Sequence, residues 1–112
     1  MEEKQFISHL PRASVLTLKD QISYQEGQIA SKTLAQNKNV SLTLFAFDKD
    51  EEISSHQSTG DAMIQVLEGK ARIMVGKEFF EVSEGESILM PHDVDHAVYA
   101  PVSYTHLTLP TI

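Results

Sequence analysis

Between His56 and His96 the chain is cut into short β-favouring runs, at residues 62–67, 70–75, 79–82, 87–90 and 97–99, by turn signals at Lys70, Gly76–Lys77 and Glu84–Gly85. Runs this short are strands rather than helices, and their punctuation predicts a meander of short antiparallel strands. A histidine opens the stretch and another closes it. In a closed antiparallel barrel, residues about forty positions apart face one another across the lumen, because each hairpin returns the chain to its starting end.

Upstream, residues 1–12 read as a poorly ordered lead-in that Pro11 brings to its end. Residues 14–18, 22–24 and 28–34 are further β-favouring runs, separated by turns at 19–21 and Glu26–Gly27, and no helix is signalled. In residues 40–47, Val40, Leu42, Leu44 and Ala46 alternate with Ser41, Thr43, Phe45 and Phe47. One face is wholly apolar and the other partly so, the pattern of a strand covered on both sides. Residues 48–52 are a charged turn, read as a solvated loop. The set predicts an all-β barrel or sandwich in one domain, residues 13–101.

What the composition lacks bounds the chemistry. With no cysteine, disulfides, thiolate metal sites and cysteine nucleophiles are excluded. Nine basic residues against 16 acidic ones give a formal charge of −7, which works against nucleic acid and against an anionic membrane surface as partner. The acidic N-terminus lacks a signal-peptide layout and no apolar run approaches membrane-spanning length, so a cytoplasmic address is expected. At 112 residues and 41% hydrophobic, the chain has apolar material for a single modest core. Gly-x-Ser-x-Gly and phosphate-loop motifs are absent, which leaves nucleophilic and nucleotide chemistry without support.

Residues 56–100 resemble the two sequence motifs of the cupin family, small double-stranded β-helix (jelly-roll) barrels. The family's first motif is a His, a second His two positions on, a Glu four further and a Gly seven beyond; His56 and Gly69 match it, within a VLEG run at Val66 to Gly69. In the second motif Gly85, Pro91 and His96 match at the family spacing. The resemblance implies an all-β cupin barrel in a single domain. It also implies a metal-ligand set that falls on His56, Ser58, Ala62 and His96, of which two are not ligands. His56 and His96 are therefore the metal candidates, for a divalent iron, manganese, nickel or zinc ion, and stable sites need three or four donors. Asp61 and His92 are the candidates for an additional ligand, although alternation turns Asp61, like Gln65, to the face opposite Ala62. His92 is expected in a solvent-facing loop, with Asp93 taking the family's glycine position in a tight turn. Asp95 is expected as a solvated strand-start residue, its alternative being a carboxylate that orients His96.

Two functions follow from the resemblance. The first is a pocket for a small polar or anionic molecule, read by His56, Ser58 and His96 without a metal. The second is a metal-dependent cupin enzyme of isomerase, epimerase, decarboxylase or dioxygenase type, in which His56 or His96 serves as general base. The resemblance further implies a homodimer built through the apolar positions of residues 14–34. Residues 102–112, VSYTHLTLPTI, carry no charge and resemble a translated sequencing adapter, so they are read as a non-native tail in which His106 is no ligand. Thr105, Leu107 and Leu109 nevertheless share one face by alternation and can take a strand's place.

Overall fold

The computed structural model describes residues 6–57 and 59–111. It is all-β apart from one short 3-10 helix, Leu18–Gln21. The strands are β1 (Ile29–Gln36), β2 (Ser41–Phe47), β3 (Glu52–His56), β4 (Asp61–Glu68), β5 (Lys70–Val75), β6 (Glu78–Ser83), β7 (Ser87–Met90), β8 (His96–Tyr99) and β9 (Tyr104–Thr111). They form a five-stranded sheet in the order β1-β2-β9-β4-β7 and a four-stranded sheet in the order β3-β8-β5-β6. Every pairing is antiparallel. This is the jelly-roll arrangement expected, with one difference of topology. The chain is not a meander: β1–β2 and β5–β6 are hairpins, whereas every other connection passes from one sheet to the other.

Turn chemistry explains why the two are alike in sequence. Gly76 closes the β5–β6 hairpin at φ 63°, while Gly69 and Gly85 turn sheet-to-sheet corners at φ 84° and φ 83°. All three need a conformation that glycine adopts without a Cβ penalty, so the same residue marks a return and a crossing. The sheets also do not close on each other, because β6 and β7 are each the last strand of their sheet and leave a seam between them.

The core fills the space between the sheets. Ala62, Ile64 and Val66 of β4 and Phe47 of β2 face Ala71 and Ile73 of β5, Val82 of β6 and Val98 of β8, with Met90 completing the cluster. In β5 the alternation expected from the sequence holds, with Ala71 and Ile73 buried and Lys70 and Arg72 exposed. Each large apolar side chain removed from water in this way contributes roughly 1.5–3 kcal/mol.

β2 is covered on both faces, as its double apolar pattern predicts. Leu44 and Ala46 are fully buried yet lie outside the inter-sheet cluster. Residues before β1 reach this face, where Lys32, the Cα partner of Leu44, donates from Nζ to the Gln21 carbonyl. Residues 14–18 and 22–24, expected as strands, instead lead into and follow the 3-10 helix, which begins at Leu18. Tyr24 ties this segment to the larger sheet: its hydroxyl donates to Glu68 Oε1 at 2.8 Å and accepts from Thr105 Oγ1 at 3.2 Å. Lys19 Nζ adds an ion pair to Glu68 at 3.6 Å.

Within residues 102–112, read as a non-native tail able to take a strand's place, β9 forms the central strand of the larger sheet. β9 pairs with β2 from Thr43↔Thr108 to Phe47↔Tyr104 and with β4 from Asp61↔Thr111 to Glu68↔Thr105. Ile112 lies outside the described residues, as do residues 1–5 of the lead-in. Among the described residues no helix is long and apolar enough to cross a membrane.

The charged turn after β2 is more than a solvated loop. Asp48 Oδ2 accepts the Gly27 N–H at 2.7 Å and Oδ1 accepts the Ser103 hydroxyl at 3.1 Å, joining three separate segments. These donors, the Gly27 N–H foremost, hold its carboxyl below the usual aspartate range. Asp50 Oδ1 accepts the Tyr99 hydroxyl at 3.0 Å.

Candidate functional site

Antiparallel pairing brings the residues singled out by sequence to one end of the sandwich. His56 ends β3, Asp61 begins β4, Met90 ends β7 and His96 begins β8. His56 and His96 are Cα partners across the β3–β8 ladder, next to a register irregularity between Ile53 and His56. They are thus neighbours in one sheet rather than residues facing across a lumen, because the chain crosses between sheets before it returns. The side chain of His56 and the whole of Ser58 lie outside the described residues.

His96 points inward. It and Val98 are buried on β8 while Ala97 and Tyr99 turn to the outer face. His96 is only 4% exposed, and its Nδ1 lies 3.4 Å from the Val94 carbonyl. Its other strand neighbour is Val75 of β5. Buried imidazoles keep hydrogen-bonding partners, so this residue is a polar group set into an otherwise apolar inner face.

Ala62 is also buried on the inner face, opposite Met90. At the position where the resemblance implies a glutamate ligand, the chain therefore presents a methyl group. Asp61 takes the other side, as strand alternation requires, and is half exposed. Gln65 likewise alternates out of phase with Ile64 and Val66. Among the described residues no group of three or more His, Asp or Glu is arranged to hold a metal ion. Two imidazoles, His56 and His96, fall short of the three or four donors of a stable site, so the donor set does not fit the family's metal.

Asp61 and His92 pair with each other on the rim. Asp61 Oδ1 accepts the His92 backbone N–H at 2.8 Å and sits 3.0 Å from His92 Nδ1. The next residue, Asp93, holds φ 59°, the left-handed turn conformation that aspartate tolerates. The loop is clasped further by Asp95, whose Oδ1 accepts from Gln57 Nε2 at 2.9 Å and whose carbonyl accepts the Gly76 N–H at 2.7 Å. Asp95 is exposed at the start of β8, as expected, and also joins two loops of the mouth.

Each partner shifts the other. The hydrogen bond to Asp61, and then its charge, raise His92 above 6.5, while the same bond lowers Asp61 below 3.8. A raised histidine stabilises the fold below its unfolded pKa and loses that effect as pH climbs through the folded value. A lowered aspartate does so above its unfolded pKa and loses it as pH falls through the folded value. The contribution is complete between pH 3.8 and 6.5 and fades on either side. In an NMR titration His92 is expected to titrate above 6.5, and Asp61→Asn to return it toward the ordinary value. An unchanged midpoint in that variant would dismiss the pairing in solution.

Sequence reasoning missed a cleft of about 390 Å³ at the seam between the sheets, lined by Val75, Phe80, Val82, Ile88, Leu89 and Pro91 together with Glu81, Glu86 and Ser87. The adjacent Phe79 and Phe80 were the available signal. By register they fall on opposite faces, Phe79 opposite Met74 and Phe80 opposite the buried Ile73. Phe79 lies on the outer face, where the Arg72 guanidinium stacks 4.7 Å from its ring centroid.

Comparison with known proteins agrees with this architecture. The cupin domain family matches residues 43–104. A conserved protein of unknown function from Streptococcus pyogenes is 34% identical, with 98% of this chain and 96% of that one covered and a TM-score of 0.94. A cupin superfamily protein from Desulfitobacterium hafniense is 26% identical over 95% of this chain and 97% of its own, with a TM-score of 0.90. A cupin 2 conserved barrel domain protein from Leptotrichia buccalis is 33% identical over 83% of this chain and 45% of its own, at a TM-score of 0.81. No curated protein matches the sequence.

Proposed function

From the premise that this chain belongs to the cupin family, we propose that it is a small-molecule-binding cupin whose pocket lies at the end of the sandwich carrying His56 and His96. The observation that supports this most is a buried imidazole at the start of β8, on an inner face whose counterpart at position 62 is a methyl group. An imidazole both donates and accepts near neutral pH, so it reads hydroxyl, amide or carboxylate groups without a metal. His56, its partner in the ladder, and Ser58 are the proposed further contacts. The ligand class is a small polar or anionic molecule.

The test combines metal analysis with a binding screen. Protein purified without an affinity tag or chelator, and then exposed to iron, nickel, manganese and zinc, is expected to hold only substoichiometric metal by elemental mass spectrometry. Stoichiometric metal that is lost in a His56→Ala, His96→Ala double variant would replace this reading with that of a metal-dependent enzyme. In an NMR screen of sugars, polyols, amino acids and small carboxylic acids, hits are expected to shift the His96 ring resonances. His96→Asn is then expected to weaken them about tenfold, the cost of a lost hydrogen bond to a buried group. Hits that leave His96 unmoved would count against the pocket.

A further inference from the structure

The outer face of the four-stranded sheet carries a cleft of about 350 Å³, bordered by Glu52, Arg72, Met74, Phe79, Ala97 and Tyr99. It lies on the side of β8 opposite buried His96, since Ala97 and Tyr99 turn outward. The register sorts its residues into two rows that run across the strands. In one, Tyr99 of β8 is the Cα partner of Glu52 on β3 and of Arg72 on β5, and Arg72 is in turn the partner of Glu81 on β6. In the other, Met74 stands between Ala97 and Phe79. The first row sets an acid and a base on opposite sides of the cleft, and the second is apolar.

Opposite charges placed directly across antiparallel strands ordinarily pair. Arg72 and Glu81 do not: Glu81 goes to Lys70 Nζ at 3.0 Å, and the Arg72 guanidinium lies 4.7 Å from the Phe79 ring centroid. The ion pairs among the described residues are Lys19–Glu68, Lys70–Glu81 and Asp61–His92, and neither Arg72 nor Glu52 belongs to one. A guanidinium stacked on an aromatic ring keeps the edge of its planar fork for a carboxylate and gives up little freedom on binding one. Across the row, two strand spacings or about 10 Å away between Cα atoms, Glu52 offers a carboxylate of its own. Between them stands Tyr99, whose hydroxyl is held by Asp50 at 3.0 Å, with Met74 and Ala97 beside it.

We propose that this cleft binds a small zwitterion, its carboxylate on Arg72, its ammonium on Glu52 and an apolar spacer over Tyr99 and Met74. Two opposite charges left out of the protein's own ion pairs, on either side of an apolar floor, call for a ligand that carries both signs. A bare anion fits less well, because Asp50, Glu52 and Glu81 all stand near the arginine's row and the chain has a formal charge of −7. A zwitterion adds no net charge to that field. Length selects further. An α-amino acid, with one carbon between its charged groups, is too short to reach both side chains at once, whereas a spacer of about three to five carbons spans them.

NMR titration of the folded protein, read at the Met74 methyl and at the Phe79 and Tyr99 rings, tests this with glycine, γ-aminobutyrate and ε-aminocaproate, and with butyrate and butylamine as single-charge controls. The two longer zwitterions are expected to bind about fivefold more tightly than glycine or either control, the scale of one added ion pair at a half-open surface. Arg72→Gln and Glu52→Gln are each expected to remove that advantage, and Glu52→Gln to leave butyrate unweakened. Both positions are exposed, and the amide spectrum of each variant confirms the fold. Equal affinities across the series, no shifts with any probe, or an advantage that survives in either variant would each overturn the proposal. Sedimentation of the ligand-free protein is expected to be the same for the wild type and Arg72→Gln. Self-association that the substitution abolishes would assign the face to a second copy instead and overturn the proposal as well.

Discussion

A chain ended at Pro101 is expected to lose cooperative folding altogether. β9 lies between β2 and β4, so its removal splits the five-stranded sheet into β1–β2 and β4–β7. It takes away two ladders, from Thr43 to Phe47 on one side and from Asp61 to Glu68 on the other. That is on the order of ten backbone hydrogen bonds at about 1 kcal/mol each, comparable to the whole stability of a small domain. Buried Thr105 leaves with them, and with it the bond to Tyr24 that pins the N-terminal segment. Thermal melting followed by circular dichroism should show no sigmoidal transition, and the amide spectrum should collapse. A truncated protein that still melted cooperatively would show that β9 is dispensable. Because the ladder is made of backbone groups, replacing residues 106–111 with another alternating β-favouring sequence is expected to restore folding. We propose on this basis that the adapter-like sequence serves as a strand irrespective of its origin.

Phe47→Ala is expected to cost about 3–5 kcal/mol, the range for a fully buried aromatic whose loss leaves a cavity. Phe47 is 0% exposed, sits in the inter-sheet cluster and packs against the Phe45 ring at 6.2 Å between centroids. Urea denaturation should show the midpoint falling while the slope stays constant, the signature of lost stability without a changed unfolded state. Phe79→Ala is the control. That ring is 60% exposed and its principal described contact is Arg72, so the expected loss is no more than about 1 kcal/mol. Equal losses at the two positions would mean that the core is not where the structure puts it.

Most strands were legible in the sequence as short β-favouring runs, and β3 was not. β5 declares itself because Ala71 and Ile73 face inward between Lys70 and Arg72. β3, with the sequence EISSH, has one apolar residue and forms the edge of its sheet, so burial imposed no period for a reader to find. Residues 14–24 erred the other way. Leu16, Leu18 and Ile22 favour strands, but they stand half-buried in and around a 3-10 helix, where tertiary context outweighed local preference. The outward turn of Asp61 followed from alternation, whereas the inward place of His96 was implied by the family resemblance. The bond between Asp61 and His92 followed from neither, since it depends on β4 pairing with β7, a partnership no local signal encodes. The seam cleft was hidden for the same reason: β6 and β7 are adjacent in sequence, and only the crossing at Gly85 makes them edges of different sheets.

The central place of β9 also has a consequence during synthesis. As the chain leaves the ribosome from its N-terminus, β1 and β2 emerge early and can form their hairpin, and β5 and β6 can do the same. The larger sheet stays in two halves until residues 104–111 have emerged, because both β2 and β4 wait for the same strand. Its gap closes by pairing residues some sixty positions apart, such as Phe45 with His106, the slow, non-local kind of contact. Until then the apolar faces of β2 and β4 and their open backbone edges are exposed together. The interval before β9 emerges is thus the period in which this protein depends most on being shielded from copies of itself.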